Sequence, residues 1–206
     1  ANSHHPLDVY RFFRDEIGAR YVQFIPIVER TAGPAGRNES PVTDRSVRGS
    51  DYGIFLSEIF DEWVRRDVGV MFVPFFDAVL ASYLYGESSL CVLRPTCGDA
   101  LALEHNGDLY ACDHYVDPVY LLGNILETPV RELLSSERRR AFGRAKSATL
   151  PSDCRECRFL FTCHGECPKN RVLETRSGEP GLNWLCDGLK ALFAHTERPM
   201  QLMAGL

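Results

Sequence analysis

The sequence predicts an α/β fold in two parts: the last strand-helix units of a partial TIM-type barrel over residues 1–88, then a small α+β cysteine-rich domain over residues 89–206. Three observations carry this. Up to residue 88 the apolar pattern runs helix, strand, helix, strand, helix, the order of a parallel sheet or barrel. From Cys91 the segments shorten and are separated by cysteines, of which the chain has 8, none before that point. With 206 residues, 45% of them hydrophobic, the chain can bury a sizeable core without disulfides.

Pro6 in a first turn, apolar positions Leu7, Tyr10, Phe13 and Ile17, and Gly18 as a stop predict an amphipathic helix over 6–17. Tyr21 to Val28 is aromatic, β-branched and nearly continuous in hydrophobicity, as a buried parallel strand would be. Gly33, Pro34, Gly36, Asn38, Pro41 and Gly49 give residues 30–50 loop chemistry, in a connection long enough to be functional or mobile. A helix over 51–66 follows, with Phe55, Ile59, Phe60 and Trp63 on one face, then a short apolar run from Val68 to Val73 and a helix over 74–85. Two strands do not make a parallel sheet buried on both faces, so this part reads as the end of a larger one. Phe55, Phe60, Trp63, Phe72, Phe75, Phe76 and Trp184 are expected in the core.

The segment Leu101–Cys112 alternates around Asn106-Gly107, the strongest short-range hairpin signal, with Cys112 on the return strand. Leu122-Gly123-Asn124-Ile125 reads as a linker, residues 128–145 as a helix, 154–167 as a cysteine-dense knuckle, and 183–195 as a helix carrying Cys186.

The cysteines are spaced Cys91-x5-Cys97-x14-Cys112, then Cys154-x2-Cys157-x5-Cys163-x3-Cys167, then Cys186 after eighteen more residues. Cys-x2-Cys lets two sulfurs of one tight turn face one metal. On spacing alone the eight thiols suit two tetrahedral zinc ions or two cubane iron-sulfur clusters. No histidine stands at ligand spacing; His164 reads as a neighbour of the site, His105 as exposed, and His4 and His5 as start-of-chain residues. The start lacks the order of a signal peptide, so a reducing cytoplasm is expected, where clustered cysteines favour metal over disulfides. No apolar stretch nears the roughly 20 residues that span a bilayer. The net charge of −5 argues against nucleic acid, and the run Arg138-Arg139-Arg140 reads as a solvated helix face.

The whole arrangement resembles the SPASM domain of radical SAM enzymes, most closely its form in anaerobic sulfatase-maturating enzymes. Cys97, Gly107, Cys112, Cys154, Cys157, Cys163, Cys167 and Cys186 match each element of that family's pattern, and Cys91 adds an eighth ligand. The similarity extends to Ala111-Cys112-Asp113-His114-Tyr115 and Leu122-Gly123-Asn124-Ile125, covering roughly residues 91–190 and, less specifically, 7–86. The resemblance implies crossed ligation: Cys91, Cys97, Cys112 and Cys167 would hold one auxiliary 4Fe-4S cluster, and Cys154, Cys157, Cys163 and Cys186 the other. It implies Asp113 as the catalytic base, with His114, Tyr115 and Gln23 contacting substrate.

The activity implied is oxidation of a Cys or Ser of an unfolded sulfatase polypeptide to Cα-formylglycine, begun by a 5′-deoxyadenosyl radical. An external electron donor or acceptor would serve the clusters. The family's Cys-x3-Cys-x2-Cys loop, which holds a third 4Fe-4S cluster and S-adenosylmethionine, is absent from the sequence. The chain therefore reads as the C-terminal portion of a longer enzyme, inactive alone. Two alternatives stand beside this: the SPASM domain of another peptide-modifying radical SAM enzyme, and a non-enzymatic zinc scaffold that binds a protein partner.

Overall fold

A computed structural model describes residues 4–31 and 40–206. Helix α1 (Pro6–Arg11) begins with proline in its first turn and runs into one wider, π-type turn over Phe12–Glu16 before Gly18 ends it at φ 69°. The long helices are α2 (Gly49–Arg66), α3 (Pro74–Tyr85) and α8 (Cys186–Met203). They form at the expected positions because their apolar residues recur at helical spacing. Phe55, Leu56, Ile59, Phe60 and Trp63 of α2 are buried, as are Phe75, Phe76 and Val79 of α3 and Leu189, Leu192 and Phe193 of α8. One core joins them, reaching from Tyr10 to Met200 and touching the partly buried Cys157 and Cys163.

Helices α2 and α8 meet almost backbone to backbone. A Cβ on Gly188 would stand 1.7 Å from the Gly49 carbonyl oxygen, and one on Gly53 2.5 Å from that of Gly188. Only glycine fits there. Gly188→Ala is expected to destabilise the chain by about 3 kcal/mol or more, as overpacking does where neither backbone can give. A urea midpoint equal to wild type would contradict this contact.

The predicted strand at 21–28 is extended but pairs at one end only. Tyr21 bridges Phe72 in parallel, with Val22 N–H donating to Phe72 O (3.1 Å) and Phe72 N–H to Arg20 O (2.7 Å). Pro26 has no donor, and the carbonyls of Phe24, Ile27 and Glu29 are taken by the Tyr52 hydroxyl and the N–H groups of Val47 and Thr43. Tyr21, Ile25, Ile27 and Phe72 are consequently exposed, which corrects the placement of Phe72 in the core; its ring stacks on Tyr21 at 4.9 Å. The expectation of a loop through Gly33, Pro34, Gly36 and Asn38 falls outside the described residues.

Strands β1 (Ala102–Leu103) and β2 (Asp108–Tyr110) form the expected hairpin, with Gly107 at φ 92° in its turn. Cys112 lies two residues beyond β2 rather than on it. The supposed linker is a third strand, β3 (Leu121–Asn124), antiparallel to β2. Gly123 and Asn124 look like turn residues, yet Asn124 faces the hairpin turn, its Nδ2 donating to Asn106 O and Asp108 Oδ1 at 3.0 Å each. The helix expected over 128–145 is two, α4 (Val130–Leu134) and α5 (Glu137–Ala148), because the Ser136 hydroxyl accepts from Arg139 N–H and starts a new helix.

Short helices α6 (Ser152–Arg155) and α7 (Leu160–Cys163) make the knuckle. A second hairpin, β4 (Arg171–Glu174) with β5 (Pro180–Asn183), was not legible as such, and it moves the start of the last helix from 183 to 186. Nor is the arginine run merely solvated: Arg139 is half-buried and donates to Gly98 O and Asp99, fastening the segment after Cys97 to α5.

An ionic cluster holds α1 to α2. Arg11 and Arg14 bind Glu62, Arg14 also binds Asp67 (2.9 Å), and the Tyr10 hydroxyl donates to Asp67 (2.8 Å). Hydrogen bonds from Arg11, with further ones from Arg14, pull the Glu62 carboxyl from 4.5 down to about 2 against the opposing effect of burial. A depressed folded-state value stabilises above the unfolded one and is lost on the way down. The metal-free chain should therefore lose stability as pH falls from 4.5 toward 2, and Glu62→Gln should flatten the thermal-melt profile in that window. An unchanged slope would contradict the pairing.

Candidate metal centre

All eight cysteines are free thiols. Cys91 opens a 3₁₀ turn within the α3–β1 connection, Cys97 lies against α5 through its N–H to Gly143 O (3.2 Å), and Cys112 follows the first hairpin. Cys154 sits in α6, Cys157 just after it, Cys163 ends α7, Cys167 precedes β4, and Cys186 opens α8. Residues eighty apart in sequence are thus delivered to one end of the molecule.

The influences of one thiol on another run within two sets. Cys97 feels Cys91, Cys112 feels Cys97, and Cys167 feels Cys97 and Cys112. Separately, Cys154 feels Cys157, Cys163 feels Cys186 and Cys154, and Cys186 feels Cys154 and Cys157. Cys167 therefore keeps company with the hairpin cysteines, not with Cys163 four residues before it. The second group lines a single hollow, closed by Phe159, Leu160, Leu189 and Phe193.

Burial is the first cause of every thiol shift here. It pushes Cys112 and Cys186 up to about 11 and Cys163 and Cys167 up to about 12. Backbone N–H groups oppose it: those of Val92, His114, Gly165 and Lys169 point at Cys91, Cys112, Cys163 and Cys167 respectively. Such N–H···S contacts favour thiolate, the form that binds metal. Among the described residues no three His, Cys, Asp or Glu side chains converge tightly enough for one metal ion. Cys154, Cys157, Cys163 and Cys186 line one hollow, and an all-thiolate donor set of this kind fits an iron-sulfur cluster.

The turn Cys163-His164-Gly165-Glu166-Cys167 is tightly wound. His164 and Glu166 take φ 46° and 50°, and Gly165 lies between them at 71°. Two non-glycine residues in the left-handed region persist only where their surroundings hold them. The buried Glu166 carboxylate accepts from the amides of Asn183 (2.7 Å) and Asn170 (3.1 Å), and Arg171 donates to the carbonyls of Gly165 and His164 at 3.0 Å each. His164 is thus half-buried, its ring kept neutral to lower pH by burial, while His105, His4 and His5 are exposed.

Asp113 is exposed and accepts from the Cys112 thiol at 3.3 Å, while its N–H donates to Ala100 O (3.1 Å). His114 is exposed and donates its N–H to Cys112 Sγ (3.5 Å). His114 shares one hollow with Gln23, Glu166 and Cys167, and a neighbouring cleft with Tyr115, Ile27, Arg30 and Lys169. The structure so brings Gln23, His114 and Tyr115 to one region; Asp113 lines neither hollow. Tyr115 is also packed, its ring 4.7 Å from Tyr120 and 5.6 Å from Phe142, with burial raising its hydroxyl pKa.

Residues 91–158 match the SPASM family, an iron-sulfur cluster-binding domain. Beyond that span the chain is homologous to anaerobic sulfatase-maturating enzymes: 46% identical to a serine-type enzyme of Bacteroides thetaiotaomicron over 98% of this chain and 51% of that protein, and 28% identical to a cysteine-type enzyme of Clostridium perfringens over 93% and 50%. A solved structure, native anSMEcpe with bound AdoMet and Cp18Cys peptide, superposes with a TM-score of 0.83 at 26% identity, covering 99% of this chain and 55% of that one. The chain spans about half the length of the curated relatives it matches. The chain thus shares its fold with the matched part of that structure.

Glu166, Asn170, Asn183, Lys146 and Arg171 escaped the sequence reading. Only their position beside cysteines marked them; a buried polar residue looks the same in sequence as an exposed one.

Proposed function

We propose that this chain is the C-terminal part of a radical SAM oxidoreductase that converts a Cys or Ser of unfolded sulfatases to Cα-formylglycine, a sulfatase-maturating enzyme. Residues 1–88 would close the partial barrel and residues 89–206 form the auxiliary cluster domain. The observation that carries the reading is the 46% identity to a sulfatase-maturating enzyme over nearly the whole chain. The division of the eight thiols into two fours supports it.

Cys91, Cys97, Cys112 and Cys167 would hold the first 4Fe-4S cluster, and Cys154, Cys157, Cys163 and Cys186 the second. When bound, each supplies a one-electron acceptor or donor with no open iron, since four thiolates complete it. Asp113 would take the proton that the substrate's thiol or hydroxyl loses, one residue from a cluster ligand, so that proton and electron leave at neighbouring points. Gln23, His114 and Tyr115 would hold the peptide, and the cleft beside His114 and Tyr115, with Arg30 and Lys169 on its rim, is where it would lie. S-adenosylmethionine and its own cluster require the Cys-x3-Cys-x2-Cys segment this sequence lacks, so the chain alone is inactive in this account. No helix of the described residues is long and apolar enough to cross a membrane, in keeping with a cytoplasmic enzyme. An external redox partner would recharge the clusters.

The test is anaerobic incubation of a sulfatase-derived Ser or Cys peptide with S-adenosylmethionine, a low-potential reductant and the chain joined to a segment bearing Cys-x3-Cys-x2-Cys. Aldehyde in the peptide, trapped with a hydrazide, is expected with the joined protein and absent with this chain alone. Clusters fully assembled and no aldehyde from either peptide would contradict the proposal.

A further inference from the structure

Lys146 lies in the interior and Arg171 is half-buried beside it, neither with a carboxylate in contact. Lys146 is 1% exposed, and its ammonium donates to the carbonyls of Cys91 (3.0 Å) and Val92 (2.9 Å). Arg171 spends its guanidinium on the carbonyls of Lys146 (2.7 Å), Gly165, His164 and Glu166 and on Thr149 Oγ1. Among the described residues neither enters a salt bridge. The nearby Glu166 carboxylate is engaged by two asparagine amides. A buried cation is costly, and negative charge close by offsets that cost: Glu166 supplies part of it, and the cysteines beside these two can supply the rest.

Besides Glu166, the groups that act on them are cysteines. Burial lowers the Lys146 pKa, and Cys97, Glu166 and Cys167 oppose it. Burial lowers that of Arg171, and Cys154, Cys97, Cys163 and Glu166 oppose it. Lys146 thus sits against the first group of four through the Cys91 carbonyl, and Arg171 against the turn from Cys163 to Cys167 that joins the two groups. With thiols the compensation is weak; with thiolates around a cluster it is strong.

We propose that Lys146 and Arg171 form a buried cationic partition between the two cysteine groups that raises the reduction potentials of the clusters held there, Lys146 acting on the first and Arg171 on both. This rests on the two-cluster reading above. A cluster that gains one electron gains one negative charge, and a cation close by in a low-dielectric interior favours that form. Lys146 makes the cluster beside Asp113 the better one-electron acceptor. Both are positioning charges, touching neither substrate nor sulfide.

The experiment is a redox titration of the full chain, reconstituted anaerobically with iron and sulfide, reduced stepwise with dithionite and followed by electron paramagnetic resonance. Cys97→Ala and Cys154→Ala assign the two signals. Lys146→Met is expected to lower the first cluster's potential by at least a tenfold change in its reduction equilibrium, about 59 mV for one electron. Lys146→Arg should titrate as wild type, and Arg171→Gln should lower both potentials where Arg171→Lys does not. Loss of the first cluster's iron from Lys146→Met but not from Lys146→Arg would equally support the charge. Loss from both, or wild-type potentials in Lys146→Met and Arg171→Gln with both clusters full, would overturn the inference and leave the two-cluster reading standing. A wild-type chain that binds zinc and no iron would overturn both.

Discussion

Cys167→Ala is expected to empty the same cluster as Cys97→Ala, and Cys186→Ala the same cluster as Cys154→Ala. Each single substitution should lower iron from about eight to about four per chain, because each removes one of the four thiolates that hold a cluster. The reason is where the turn after α7 sends its two ends. Cys163 faces the hollow closed by Phe159 and Phe193, while Cys167, beyond the left-handed residues His164, Gly165 and Glu166, feels Cys97 and Cys112. Paired substitutions distinguish crossed from sequential ligation. Cys97→Ala with Cys167→Ala should keep about four iron, whereas Cys154→Ala with Cys167→Ala should keep none. Retention of about four in the second pair would mean that Cys167 serves with its sequence neighbours, and the two-group geometry would be wrong.

The second large effect is on turnover. In the enzyme completed by a Cys-x3-Cys-x2-Cys segment, Asp113→Asn is expected to slow formylglycine formation by about 10²- to 10⁴-fold, the usual worth of a positioned base. Iron content should be unchanged, since Asn keeps the shape of the turn and Cys112 keeps the N–H of His114. Asp113 is exposed and 3.3 Å from the Cys112 sulfur, open to a substrate and beside a ligand at once. Turnover within a few-fold of wild type would leave Asp113 as a turn residue only. Loss of iron along with activity would give it a structural role.

The long helices were legible because burial on one face leaves a period in the sequence: Phe55, Ile59, Phe60 and Trp63 could hardly be read otherwise. The first hairpin was legible from Asn106-Gly107. The strand at 21–28 was read from composition, which reports that a segment suits a sheet and not whether neighbours are present to pair with it; here only Tyr21 finds one. β3 was hidden because Gly123 and Asn124 carry the chemistry of turns, and β4–β5 because its short strands are half-exposed with little alternation to see. Spacing alone proposed the cysteines as a metal site, and crossed ligation was expected only from the resemblance, since spacing cannot say which way a turn points each sulfur. Lys146 and Arg171 were illegible because the groups that act on them, Glu166 and the cysteines, are brought to them by the fold and form no local charge pattern around Lys146 in the sequence.

The measurement that bears most directly on the account is the iron, acid-labile sulfide and zinc content of the chain after anaerobic purification and reconstitution. About eight iron and eight sulfide per chain, with broad absorbance near 400 nm and no zinc, is the expected result for two 4Fe-4S clusters. About two zinc per chain without iron or sulfide would contradict it and make the cysteines a structural scaffold.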